Sequence, residues 1–109
     1  DWIYRHLHMA EDRMIEMARM FGDAPPSPDT YAALNQAARE LLLAQSSDWA
    51  FLMTTGTAVP YAEKRTRNHI HRFTRLYQMI KSGNVSPSYV AGLHELNPVF
   101  RDVDYRLYL

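Results

Sequence analysis

The sequence predicts an all-α domain, a compact bundle of about five helices with a docked C-terminal tail. Three observations carry that expectation. Apolar residues recur at steps of three and four through most of the chain, the spacing that lines one face of a helix. Clusters of Pro, Gly, Ser, Thr and Asn break the pattern at 22–28, 46–48, 54–57 and 82–87. The one alternating run, Val103, Tyr105 and Leu107 against Asp102, Asp104 and Arg106, is a lone strand with no sheet to join, so it is expected as docked coil.

The first helix spans 2–21. Ile3, Leu7, Ala10, Met14, Met17, Ala18 and Phe21 share a face, Asp1 is placed to cap it, and Gly22 supplies a left-handed stop. The second spans 28–45, with Ser27 as cap and Pro28 at the first helical position, where its missing N–H costs nothing. Its stripe is Tyr31, Leu34, Ala38, Leu41, Leu42 and Gln45, while Arg39 and Glu40 contribute helix propensity. A short third helix is expected over 48–54, capped by Ser46 or Ser47 and ended by Gly56. Trp49, Phe51, Leu52 and Met53 make it apolar nearly all round, which places Trp49 inside the bundle.

The longest helix covers 58–81. Its inward stripe is Ala62, Thr66, His69, Phe73, Leu76, Tyr77 and Ile80. Pro60 is tolerated in its first turn, and Gly83 ends it. The fifth spans 87–96, with Ser86 as cap, Pro87 at the first position, Gly92 as a weak point inside, and Asn97-Pro98 as the stop.

With 109 residues the chain forms one domain, 1–109. Twelve Lys and Arg balance twelve Asp and Glu, so net charge makes no case for nucleic acid or for a membrane surface. No apolar run approaches the ~20 residues of a membrane span, and no signal-peptide pattern opens the chain. The sequence has no cysteine. That excludes disulfides, thiolate metal sites and a cysteine nucleophile, and a cytoplasmic location is expected. The abrupt start at Asp1-Trp2-Ile3-Tyr4 suggests a piece cut from something longer.

Candidate chemistry is sparse. His6 and His8, like His69 and His71, are two apart, hence about 200° apart on a helix, and cannot share an ion. His8 with Glu11 or Asp12 has better spacing but no second copy. No metal or other cofactor is expected, and no residue is assigned a catalytic role. Between Glu63 and Lys81 the chain carries Lys64, Arg65, Arg67, Arg72, Arg75 and Lys81 against Glu63 alone. This basic face of helix 58–81 supports an alternative reading, an independent helical protein-interaction module that docks through it. Thr54-Thr55-Gly56-Thr57 precedes a helix start but lacks a phosphate-loop pattern, so plain capping is expected. Trp2 stands in the first turn of a helix, with Tyr4 and His6 following. An indole there either stacks on sugar rings, whose C–H faces pack as apolar groups do, or fills the domain's own core.

Several blocks resemble one family. Asp-Trp-Ile-Tyr-Arg-His-Leu-His at the start, then Glu11-Asp12-Arg13-Met14, resembles the opening of the helical C-terminal region of glycoside hydrolase family 57 glucan branching enzymes. Ala44-Gln45-Ser46-Ser47-Asp48-Trp49-Ala50-Phe51-Leu52-Met53-Thr54-Thr55-Gly56 is similar to that family's central signature and is the most specific block. Tyr61-Ala62, Arg65, His69, Arg72-Phe73 and Leu76-Tyr77 continue the resemblance, and Asn97-Pro98-Val99-Phe100 with Asp102-Val103-Asp104-Tyr105-Arg106 completes it.

The resemblance implies a parent that cuts an α-1,4-glucan and rejoins the fragment through an α-1,6 linkage by a retaining mechanism. Two carboxylates about 5 Å apart would do this, on a (β/α)7 catalytic domain that this chain does not contain. It further implies that this chain packs on that barrel and closes one side of the α-glucan cleft. Trp2 is then a substrate contact, with Tyr4 and His6 as neighbours on its turn. Members of the family include proteins first described as amylases. A free-standing carbohydrate module is a weaker reading, since one indole rarely offsets the entropy of association.

Overall fold

Two helices start in the same way. Ser27 Oγ accepts the N–H of Thr30 at 3.1 Å and Ser86 Oγ accepts that of Tyr89 at 3.3 Å, each satisfying a backbone donor that the first turn leaves open. Proline follows the cap in both cases, at Pro28 and Pro87. The computed structural model describes residues 2–23, 27–53, 59–96 and 99–109, with side chains over 3–23, 27–47, 63–96 and 99–109. Its helices are α1 (Trp2–Phe21), α2 (Pro28–Met53), α3 (Val59–Ser82) and α4 (Pro87–Leu96), followed by a 3-10 turn at Tyr105–Tyr108. No strand occurs among the described residues.

The bundle measures 45 × 25 × 23 Å. Its long axis is set by α2 and α3, which pack along each other. Helix α1 lies across both, α4 packs on α2, and the tail crosses α1 and α2. The main core joins Met14, Met17 and Ala18 of α1 to Leu34, Ala38 and Leu41 of α2, Phe73 and Leu76 of α3, Val90 and Leu93 of α4, and Tyr105 of the tail. A smaller cluster, Ile3, Leu7, Ala44 and Ile70, fixes the start of α1. Gly22 has φ +62° and its N–H bonds the Ala18 carbonyl at 2.8 Å. That is the expected left-handed stop.

Three expectations need correction. No separate helix starts at 48, and Ser46 and Ser47 sit mid-helix instead of capping one, because α2 runs unbroken to Met53. Polar residues mid-helix cost only tenths of a kcal/mol each, and packing along α3 outweighs that. The α2 stripe is also too narrow: every residue from Ala33 to Leu41 is buried, while Leu42 and Gln45 are only half-buried. Helices on several sides and the tail leave this stretch no solvent face. Last, the tail is a turn plus a 3-10 helix rather than coil alone. A three-residue period brings Tyr105 and Tyr108 to the same side, so Tyr108 packs inward and Leu107 stays exposed. The Trp49 side chain and the 54–57 cluster lie outside the described side chains and residues, as do the Asp1 cap and the Asn97-Pro98 stop.

Gly92 is an exposed interior position of α4, and a Cβ built there meets nothing within 4 Å. Gly92→Ala is therefore expected to raise stability by about 0.5–1 kcal/mol through lower unfolded-state entropy. A shift of the urea midpoint at constant slope would register it. An unchanged midpoint would contradict it.

Candidate functional site

At the start of α1, Ile3 and Leu7 face inward. Tyr4 lies on the other side, 62% exposed, with its ring edge-on to His8 at a centroid distance of 4.4 Å. His6 is half-buried. Position 4 sits about 200° round the helix from positions 2 and 6, so Tyr4 shares a face with His8 and not with His6. The Trp2 side chain lies outside the described ones.

The basic face of α3 is partly engaged. Arg67 pairs with Glu63 at 3.0 Å, Lys81 pairs with Glu16, and the Arg75 guanidinium lies 4.9 Å over the Tyr89 ring. The Lys81 contact holds the Glu16 carboxyl below its ordinary value and raises Lys81 above its own. Exposed pairs of this kind add little stability, roughly 0–1 kcal/mol each. Among the described residues no group of three His, Asp, Glu or Cys could hold a metal ion.

The chemistry-bearing side chains that the structure does gather are buried. Glu40 is fully enclosed, and its Oε1 lies 2.7 Å from His69 Nδ1. Its Oε2 accepts from Gln36 Nε2 at 2.9 Å. Arg39 Nη1 donates to Gln36 Oε1 at 3.0 Å. The same guanidinium reaches the tail, donating from Nε to the Phe100 carbonyl at 3.0 Å and from Nη2 to the Arg101 carbonyl at 2.7 Å. Burial pushes the Arg39 pKa below its ordinary value, against the opposing pull of Asp102 and Glu40. A polar row thus links α3, α2 and the tail.

By sequence alone Arg39 and Glu40 contribute only helix propensity. A signal was available, since Gln36, Arg39 and Glu40 stand at i, i+3 and i+4 and share a face.

The row holds Phe100 at φ +62°, a conformation that costs a non-glycine residue about 1–2 kcal/mol. Phe100 ends up partly exposed beside a shallow depression of about 620 Å³ that it lines with Val103 and Leu107 and with the charged Arg101, Asp102 and Asp104. Leu96, Val99, Leu107 and Leu109 are also exposed, so apolar surface is left open on the tail and on the end of α4.

Farther along the tail, Asp104 caps the 3-10 turn by accepting the Arg106 N–H at 2.9 Å. It also accepts from the Tyr31 hydroxyl and from two nitrogens of the Arg106 guanidinium. The Arg106 contact, followed by the Tyr31 hydroxyl, holds the Asp104 carboxyl far below its ordinary 3.8. A depressed carboxyl stabilises the fold above its unfolded-state value and loses that contribution as pH falls below it. The melting temperature of the wild type should therefore fall more steeply below pH 3.8 than that of Asp104→Asn. Parallel acid profiles of the two proteins would contradict this assignment.

Fold and site define a four-helix α domain organised round a buried polar row, with no catalytic constellation among its described residues. The family described as 1,4-alpha-glucan branching enzyme, C-terminal, matches residues 6–108, and the chain belongs to it. A curated 1,4-alpha-glucan branching enzyme of Thermococcus kodakarensis is 36% identical over 94% of this chain, which spans 16% of that protein. The crystal structure of the alpha-amylase AmyC from Thermotoga maritima superposes with a TM-score of 0.88 at 44% identity. That match covers 99% of this chain and 21% of AmyC. The chain spans about a fifth or less of each relative. No described helix is long and apolar enough to cross a membrane.

Proposed function

We propose that this chain is the C-terminal domain of a glycoside hydrolase family 57 α-glucan branching enzyme. It packs on a (β/α)7 catalytic barrel and completes the α-glucan cleft, with Trp2 as the stacking platform, His6 one turn further along the same face, and Tyr4 as a separate contact on the other side of the helix, beside His8. In this reading the parent works in the cytoplasm, in glycogen biosynthesis. The observation that carries the reading is the family match over residues 6–108 in a chain so much shorter than its relatives.

The division of labour follows from chemistry. Retaining transfer needs two carboxylates on either side of the scissile bond, and they belong to the barrel. This domain contributes binding surface. A flat indole positions a glucan chain for attack on the glycosyl intermediate by an acceptor hydroxyl instead of water. Such positioning acts on the rate through orientation.

The test uses the full-length protein. Trp2→Ala is expected to lower kcat/KM for transfer about tenfold or more, equivalent to ~1.4 kcal/mol of transition-state binding, with little change in melting temperature. Unchanged kinetics with a large fall in melting temperature would place Trp2 in the core and remove the stacking role.

A further inference from the structure

The polar row opens on one side into a cleft. Between α2 and α4 lies a cavity of about 420 Å³, within the ~300–1,000 Å³ of small-ligand pockets. Its buried polar lining is Asn35, Gln36 and Arg39, and Asn35 and Arg39 carry more donors than their described neighbours use. Arg39 is 8% exposed and spends three of its five N–H groups on Gln36, Phe100 and Arg101. Its other two have no partner among the described residues. Asn35 uses its oxygen to accept the Tyr105 N–H at 2.9 Å, which leaves its amide nitrogen without a partner there. Gln36 gives one amide hydrogen to Glu40 and is fully enclosed, so it backs the floor and positions Arg39 without offering the cavity a donor. Donors gathered on one cavity floor suit a ligand rich in acceptors, since a few placed polar groups set the orientation of a bound small molecule.

The rest of the lining narrows the class. Asp29 and Glu95 also line the cavity, and Asp102 and Glu40 already act on the Arg39 charge. Arg39 and His94 stand with Asp29 and Glu95 in the lining, a mixed set that does not favour an anion. A neutral polyol suits the set better, because each hydroxyl accepts from the floor and donates to a carboxylate. Tyr31, Pro87 and Val90 supply apolar wall for the C–H faces of a sugar ring.

We infer that the cleft between α2 and α4 is a second glucan-binding site, which takes glucosyl units of an α-glucan away from the residues at the start of α1. The choice of glucan rests on the function proposed above. The site would hold a long polymer to the protein while its chain ends are processed elsewhere.

Ala32 and Ala91 line opposite walls of the cleft and are exposed, so Ala32→Trp and Ala91→Trp fill it without touching the buried row. The experiment is affinity electrophoresis of the full-length protein in native gels with and without amylopectin. Each substitution should weaken retardation at least threefold, with mobility in plain gels and melting temperature unchanged. Maltotriose soaked into crystals should bind against Arg39 Nη1 and Nη2. Retardation identical to wild type in both variants would overturn the proposal.

Branching by the unaltered protein, measured on the same preparation, separates the two readings. Branching combined with retention indifferent to both substitutions removes the cleft alone. Retention that responds to both, without branching, keeps the cleft and removes the enzyme.

Discussion

Glu40→Ala is expected to destabilise the fold by about 3–5 kcal/mol, the range for removing one partner of a buried ionisable pair. Glu40 is fully enclosed, and its two oxygens serve His69 Nδ1 and Gln36 Nε2. Alanine leaves both nitrogens without partners in a water-excluded space and opens a cavity as well. Glu40→Gln should cost much less. Its amide oxygen can accept from Gln36, and its amide nitrogen can donate to His69 if the imidazole carries its hydrogen on Nε2. Chemical denaturation of the three proteins gives the comparison. Equal losses for alanine and glutamine would show that volume, rather than hydrogen bonding, is what Glu40 provides.

Tyr105→Ala is expected to cost a similar amount, about 3–5 kcal/mol, as for other large buried aromatics. Its effect should be local as well as global. Tyr105 is fully buried, and its hydroxyl donates to the Gly22 carbonyl at 2.6 Å. Its N–H bonds Asn35, and its ring meets Tyr31 edge-on at 6.1 Å. One side chain therefore ties the tail to the end of α1 and to α2. Without it, residues 99–109 should become the first site of proteolysis, ahead of the helices. Tyr105→Phe isolates the hydroxyl and should cost about 1–2 kcal/mol while the tail stays docked. A tail as resistant in Tyr105→Ala as in wild type would show that Arg39 and Asp104 hold it by themselves.

Much of the architecture was legible in the sequence where one face of a helix is wet and the other dry. The α1 stripe, from Ile3 to Ala18, is buried as expected, and so are Phe73, Leu76 and Ile80 of α3. Such legibility fails for a helix enclosed on every side. In α2, Ala38 is legible as part of the stripe, but Ala33, Ala37, Arg39 and Glu40 look like propensity residues. Enclosure by several neighbours cannot be read from one helix alone. The missing information sat on α3, where the inward stripe contained Thr66 and His69. A buried histidine needs a partner, and Glu40 provides it in the antiparallel register of α2 and α3.

The tail failed for a different reason. Alternation of Val103, Tyr105 and Leu107 suggests a period of two, but a capping aspartate at 104 starts a 3-10 turn and changes the period to three. Of the expected glucan contacts, Tyr4 is on the surface beside His8 and His6 is half-buried. Of the cleft floor, Gln36 and Arg39 leave a trace in their shared face with Glu40, while Asn35 is spaced like ordinary helix surface.

The two relatives carry different activities in their names, a branching enzyme and an alpha-amylase. The most direct measurement of the central claim is proton NMR of amylose treated with the full-length protein, counting new α-1,6 linkages against new reducing ends. The proposed function predicts that α-1,6 linkages accumulate well ahead of reducing ends. Reducing ends that accumulate with no α-1,6 signal would contradict it.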